Sequence, residues 1–265
     1  MPMLQAEPLV ALAPLVAVPS ALPALPLPPV EAASAPAFEW PPSTRLSYRL
    51  TGDFRGPVDG QAQVEWLRSG TRYQVHLDVS VGPSFAPLVS RRVSSEGEIT
   101  AEGLRPQRFD EETSVLFREP RQVQLRMAGD TVRLNNGVEV PRPPGLQDTA
   151  SQFVQLTWLF TMQPELLRAG QVLTMPLAFP RRVQLWQYEV GAAEILNTPA
   201  GPVEAVHVRP RPEAAGSAQR GGDLVPEAWF APSLQYLPVR IVIRQGDGNF
   251  VDLMIERLPQ QAAPK

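Results

Sequence analysis

The chain of 265 residues contains no cysteine. That absence removes disulfides, thiolate nucleophiles, iron–sulfur clusters and cysteine zinc sites together. It leaves the compartment open, because an exported protein that avoids mispairing and a cytosolic one both tolerate it. Histidine is nearly as scarce. His76 and His207 are the only two, each inside a strand-like pattern. With no His-x-x-x-His spacing, a zinc site has no support. Lysine is reduced to Lys265, and all 24 basic residues lie at or after Arg45. Residues 1–43 carry only Glu7, Glu31 and Glu39, so the signs balance in the rest of the chain. A balanced domain offers no clustered cationic surface, and nucleic acid is not expected as a partner. Gly-x-Ser-x-Gly, Gly-x-Gly-x-x-Gly after a strand and a Walker-type loop are missing too. Neither a nucleophile-elbow hydrolase nor a nucleotide cofactor is expected, and no other cofactor is indicated.

Proline, by contrast, is abundant, and it crowds the first 43 residues between short apolar pieces. It recurs too often there for a continuous spanning helix of about 20 residues. A positively charged n-region of a secretory signal is absent as well. Residues 1–43 read as a disordered Ala/Pro-rich linker or tether in polyproline-like conformation, reaching on the order of 100 Å. A linker ties something to something. The expectation is that the gene starts upstream and that contact with a membrane runs only through an anchor missing from this chain.

At Arg45 the hydrophobic period changes to two. Leu46, Tyr48 and Leu50 alternate with polar neighbours, and Val58 to Leu67 follows as a less regular strand. After the turn at Ser69-Gly70, Tyr73, Val75, Leu77, Val79 and Val81 share one face. Further strands are predicted at 89–100, 104–109, 113–118, 122–127, 131–134, 172–179, 183–190, 193–197, 203–208, 239–244 and 250–258, with turns at Glu102-Gly103, Gly129-Asp130, Asn136-Gly137 and Gly246-Asp247-Gly248-Asn249. Residues 211–223 read as a mobile loop.

One stretch differs. Residues 144–163 read as a helix over 148–162, with Asp148 accepting N–H bonds of the first turn and Ala150, Phe153, Leu156 or Thr157, and Phe160 on one face. Val154, Trp158 and Leu159 make the other side apolar too. A helix apolar nearly all round must be covered on most sides, so it is expected to plug or pack across a curved sheet. Pro164 to Arg168 adds one further turn ending at Gly170. The fold class is therefore mainly β: an antiparallel curved sheet, half-barrel or barrel of about a dozen strands with one inserted central helix. The domain is expected at 44–259, followed by a flexible tail at 260–265.

Candidate chemistry is thin. Asp110-Glu111-Glu112 is a carboxylate run, but adjacent strand residues face opposite ways, and a solvated face is the better reading. Asp247-Gly248-Asn249 is a turn, since the remaining calcium-loop ligands are absent. No metal site is expected. Trp158, Trp186, Tyr188 and Trp229 remain as tentative ligand-binding residues, lining an incompletely filled β-cup; the competing reading makes them packed core. Trp186 and Tyr188 share a face of their strand, with Val183 and Leu185 on the other.

Four segments carry a resemblance: Ser95 to Pro106, Gly145 to Leu156, Glu194 to Val203 and Trp229 to Ile241. They resemble an exported proteobacterial β-rich family of uncharacterised envelope proteins, over about residues 45–258. By shape alone there is an analogy to the open-barrel lipoprotein carriers of the periplasm. The resemblance implies a periplasmic protein, or one tethered to the inner membrane and facing the periplasm; no catalytic residue transfers with it. The expected function is non-enzymatic. Either the protein holds an apolar or lipid-like ligand inside the curved sheet, or it is a periplasmic scaffold that binds an envelope protein partner and no small molecule.

Overall fold

Alternation becomes strand from the first residue described. The structure is a computed structural model and describes residues 43–53, 56–83, 85–211, 225–245 and 248–262. The expected arm at 1–43, apart from Ser43, nearly all of the loop at 211–223 and part of the last hairpin turn lie outside these residues. A first run of strands comprises β1 (Ser43–Asp53), β2 (Pro57–Ser69), β3 (Arg72–Val81), β4 (Val89–Thr100), β5 (Gly103–Val115), β6 (Arg121–Ala128), β7 (Thr131–Arg133), β8 (Glu139–Pro141) and β9 (Gln147–Asp148). Then come α1 (Ser151–Met162) and a 3₁₀ turn at Pro164–Leu167. The second run comprises β10 (Val172–Phe179), β11 (Arg182–Thr198), β12 (Gly201–Pro210), β13 (Val225–Ala231), β14 (Leu237–Gln245), β15 (Asn249–Ile255) and β16 (Gln260–Gln261).

All the strands join one unclosed sheet in the order β8-β7-β6-β5-β4-β3-β2-β1-β15-β14-β13-β12-β11-β10-β9, with β16 on β1. Pairing is antiparallel throughout except between β9 and β10. The described residues are mainly β, a long curved meander with one α-helix among them, as the sequence leads one to expect. The two edge strands, β8 and β9, are consecutive in sequence. Residues 142–146 between them span at most about 20 Å. The sheet therefore curls until its edges come near each other, although no ladder joins them. Asn135 N–H donates to Pro180 O at 3.0 Å across the gap. β1 and β15, first and almost last in sequence, pair at mid-sheet, with Tyr48 opposite Ile255 and Asp53 opposite Phe250.

Local departures have local causes. The strands expected at 104–109 and 113–118 are a single β5, because Asp110, Glu111 and Glu112 stay extended: Arg126, Arg91 and Arg92 pair with them from the neighbouring strands. β11 likewise joins two expected strands, with a bulge between Val190 and Ala193 absorbing the break in pattern. β8 and β13 were not foreseen. Gln260 and Gln261, placed by sequence in a flexible tail, pair with Arg45 and Thr44.

The helix starts later than expected. Asp148 Oδ1 accepts from Ala150 N at 2.9 Å and Ser151 N at 2.8 Å, a side-chain turn that holds Gln147 and Asp148 extended against β10 and lets α1 begin only at Ser151. Leu156 and Phe160 then enter one apolar cluster with β1 and β10–β15. Val154 and Trp158 pack against a second cluster, built on β2–β7. Each flank of the helix is thus covered by a different half of the sheet.

Candidate functional site

Between α1 and the sheet lies a partly open apolar cleft of about 90 Å³. Leu46 and Tyr48 of β1, Val64 and Trp66 of β2, and Val75 and Leu77 of β3 form one wall. Ile241, Ile243 and Leu253 of β14 and β15 form the other, and Phe153 and Val154 of α1, with Ala150 just before the helix, cover it. Strand alternation brings these residues together, since every second side chain of β1–β3 points inward. Thr44, Thr149, Thr157, Gln235 and Gln261 are the polar residues of the lining, Thr44 and Thr157 buried, and Gln261 Nε2 donates to Gln235 Oε1 at 2.7 Å. Gln235 and Tyr236 occupy left-handed backbone at φ 57° and 56°, a strained pair costing about 1 kcal/mol or more each. Thr157 of α1 steadies this turn, its hydroxyl donating to Tyr236 O at 2.9 Å.

No carboxylate, imidazole or cation lines the cleft. Its one titratable group is the Tyr48 phenol, which donates to Pro238 O at 2.7 Å and whose pKa burial pushes upward. Such a lining can hold an apolar group out of water and can move no proton at neutral pH.

Beside the cleft, a polar knot anchors the helix. Asp148 is fully buried; Ser95 Oγ donates to its Oδ2 at 2.6 Å, and Tyr73 Oη lies 3.2 Å from Ser95 Oγ. Burial pushes the Asp148 carboxyl up, and the hydrogen bonds from Ser95, Ser151 and Ala150 pull it back down. All three side chains are shut off from solvent, so the constellation positions α1 and meets no substrate. Farther along, Gln155 Oε1 accepts from Leu104 N at 2.7 Å and its Nε2 donates to Glu102 O at 3.1 Å. Gln152 Oε1 accepts from the Tyr188 hydroxyl at 2.5 Å.

A third cluster crosses β12–β15. The His207 ring stacks on Trp229 at 4.1 Å, and the Arg240 guanidinium lies 4.7 Å from the Trp229 ring. His207 Nε2 is 2.9 Å from Glu227 Oε2, and Arg244 Nε donates to Glu227 Oε1 at 2.9 Å. The His207 bond first, with Arg244 added, holds the Glu227 carboxyl down to about 2. Arg240 pairs with Asp252, at 2.6 Å from Nη2 to Oδ2. Every charge of this lattice has a partner across a strand, which is how a sheet surface is fastened. Among the described residues no group of His, Asp and Glu converges to hold a metal.

The four aromatics singled out from sequence are not among the residues that line this cleft. Trp186 is wholly buried with its ring 5.5 Å from Phe179. Tyr188 is buried on Gln152, Trp229 sits between His207 and Arg240 with its Nε1 donating to Glu194, and Trp158 packs on the second cluster. Leu185, on the opposite face from Trp186, is exposed. The aromatics that do line the cleft are Tyr48, Trp66 and Phe153. Alternation marked Tyr48 as inward-facing, but the pattern is the same whether the space in front of a side chain is filled or empty.

Residues 45–256 match the family described as "Protein of unknown function (DUF3108)". No curated protein matches the chain. Among solved structures it is similar to a β-barrel-like protein of domain of unknown function DUF1849 from Brucella abortus: 13% identity, a TM-score of 0.55, covering 83% of this chain and 98% of that one. A DUF1089 family protein from Pseudomonas aeruginosa shares 9% identity at a TM-score of 0.36, covering 67% of this chain and 87% of its own. The likeness to the first is one of fold, a barrel-like sheet.

Proposed function

We propose a function from the cleft itself, since the chain belongs to the DUF3108 family and the family's description assigns none. The protein is read as a non-enzymatic binder of an apolar molecule in the cell envelope, taking a chain end or short apolar moiety into the cleft beneath α1. One observation carries this reading: the cleft is lined almost wholly by aliphatic and aromatic side chains and is partly open. At about 90 Å³ it is well below the roughly 300 Å³ at which ordinary ligand pockets begin, so only part of a lipid-sized ligand enters. Location in the periplasm, free or tethered to the inner membrane, rests on the sequence resemblance, and fractionation of the source cells tests it.

The small volume also favours a second reading, a scaffold that binds a protein partner and leaves the cleft as incomplete packing. Titration with fluorescent fatty-acid analogues of graded chain length separates the two. The binder shows saturable uptake and a melting temperature that rises with ligand concentration. Leu77→Trp, which fills the cleft, abolishes uptake while the protein stays folded; Trp186→Phe leaves it unchanged. Absence of uptake at every chain length, or uptake indifferent to Leu77→Trp, rejects the binder and leaves the scaffold.

A further inference from the structure

Four large apolar side chains stand outside both core clusters and close together. Phe85 and Leu88 lie between β3 and β4, and Leu116 and Phe117 between β5 and β6. The two loops are neighbours, because β4 and β5 pair as far as Val89 and Val115, and Leu116 N then donates to Leu88 O at 2.9 Å. Phe85 is 90% exposed and Phe117 96%, with Leu88 and Leu116 at about half. Single exposed apolar residues are ordinary; a contiguous group at a loop tip marks an interaction site.

The tip is braced. Gly82 N donates to Asp59 O, Leu88 N to Val81 O, Ala86 N to Pro83 O and Arg118 N to Val115 O. Phe117 is held at φ 60°, a left-handed conformation that costs a bulky residue about 1 to 3 kcal/mol. The fold spends that strain on a ring directed at solvent. Arg118 directly follows Phe117 and Arg121 opens β6 opposite Thr113, both exposed and without a carboxylate partner among the described residues, and Glu119 is the one acid between them. Glu111 and Glu112, the nearest acids on the strand, already face Arg91 and Arg92.

These features fit a lipid surface better than a protein. Two phenyl rings of at most about 250 Å² each, with two half-exposed leucines, fall short of the roughly 800 Å² that each partner of a stable protein interface buries. The rings project, with no pocket around them to receive a partner's side chain. Apolar side chains beside unpaired cations are what the boundary between anionic headgroups and acyl chains accepts.

We infer that the paired loop tips dock this protein on an anionic bilayer surface, with Phe85 and Phe117 entering the acyl boundary and Arg118 and Arg121 meeting the phosphates. This surface is separate from the apolar cleft and stands whether or not the cleft takes a ligand. Full-length protein is sedimented with vesicles of phosphatidylcholine, and of phosphatidylethanolamine with phosphatidylglycerol in a three-to-one ratio, across a range of salt. The expected result is partition onto the second kind, weakened by salt. The double variant Phe85→Ser, Phe117→Ser binds at least about tenfold more weakly, given the free energy of burying a phenyl ring. Arg118→Gln with Arg121→Gln removes the preference for phosphatidylglycerol. Unchanged melting temperatures show that the variants fold. No partition by the wild type, or equal partition by the Phe double variant, overturns the inference. Self-association that the Phe double variant abolishes, without vesicle binding, overturns it too and assigns the tip to a second copy of the chain.

Discussion

Two buried or half-buried carboxylates set opposite pH responses. The folded-state pKa of Asp148 is raised above its ordinary 3.8, chiefly by burial. A raised acid favours its neutral form in the folded state, so its contribution to stability is full below pH 3.8 and is lost as pH rises through the folded value. Glu227 runs the other way. Its carboxyl drops from 4.5 to about 2, so it stabilises above pH 4.5, and that contribution fades as pH falls toward 2. Unfolding free energies measured by denaturant across pH separate them. Asp148→Asn, which keeps an oxygen for Ala150 N and Ser151 N, flattens the decline with rising pH, whereas Glu227→Gln flattens the acid-side loss. Asp148→Ala strands two backbone donors and the Ser95 hydroxyl and is expected to cost about 2 to 4 kcal/mol. An alanine variant as stable as wild type would show that the knot does not anchor the helix.

At the scale of the element, α1 holds both halves of the sheet through buried amides as well as apolar packing. Gln155 reaches the β4–β5 turn, where Gly103 sits at φ +104° and a Cβ would fall 2.3 Å from Gln155 Oε1. Gly103→Ala therefore meets backbone strain and a clash together, and a loss of about 2 kcal/mol or more is expected by chemical denaturation. In a double-mutant cycle with Gln155→Ala the two effects should be less than additive, because the second substitution removes what the first collides with. Strict additivity would place the helix elsewhere. The helix and most strands were legible because amphipathic periods of 3.6 and 2 follow directly from backbone geometry. The buried polar row of Ser151, Gln152, Gln155 and Thr157 was not legible, since its partners are strand and turn groups up to 79 residues away. The cleft was hidden for a related reason. Leu46, Trp66 and Val75 carry the same pattern as core residues, and only three-dimensional packing decides that space remains before them. Trp186 and Tyr188 share one face of their strand, as alternation indicates, but Phe179 and Gln152 already occupy the space in front of them.

For the whole molecule, the pairing of β1 with β15 at mid-sheet decides how the fold bears load. The chain enters β1 at Ser43 and, after β15, lays Gln261 beside Thr44, so the described chain begins and ends at the same end of one antiparallel ladder. Tension between residues 43 and 262 then acts across the ladder and opens it a pair at a time, like a zip, where a shearing pull would load all its bonds together. In force spectroscopy with handles at those residues, β16 and β1 should detach first at low force. α1, which packs on β5 and β14 alike, should be the last element to let the two halves part. A single high-force rupture would contradict this. A pull applied at residues 43 and 262 thus meets the sheet at mid-ladder, far along the strand order from its edges at β8 and β9.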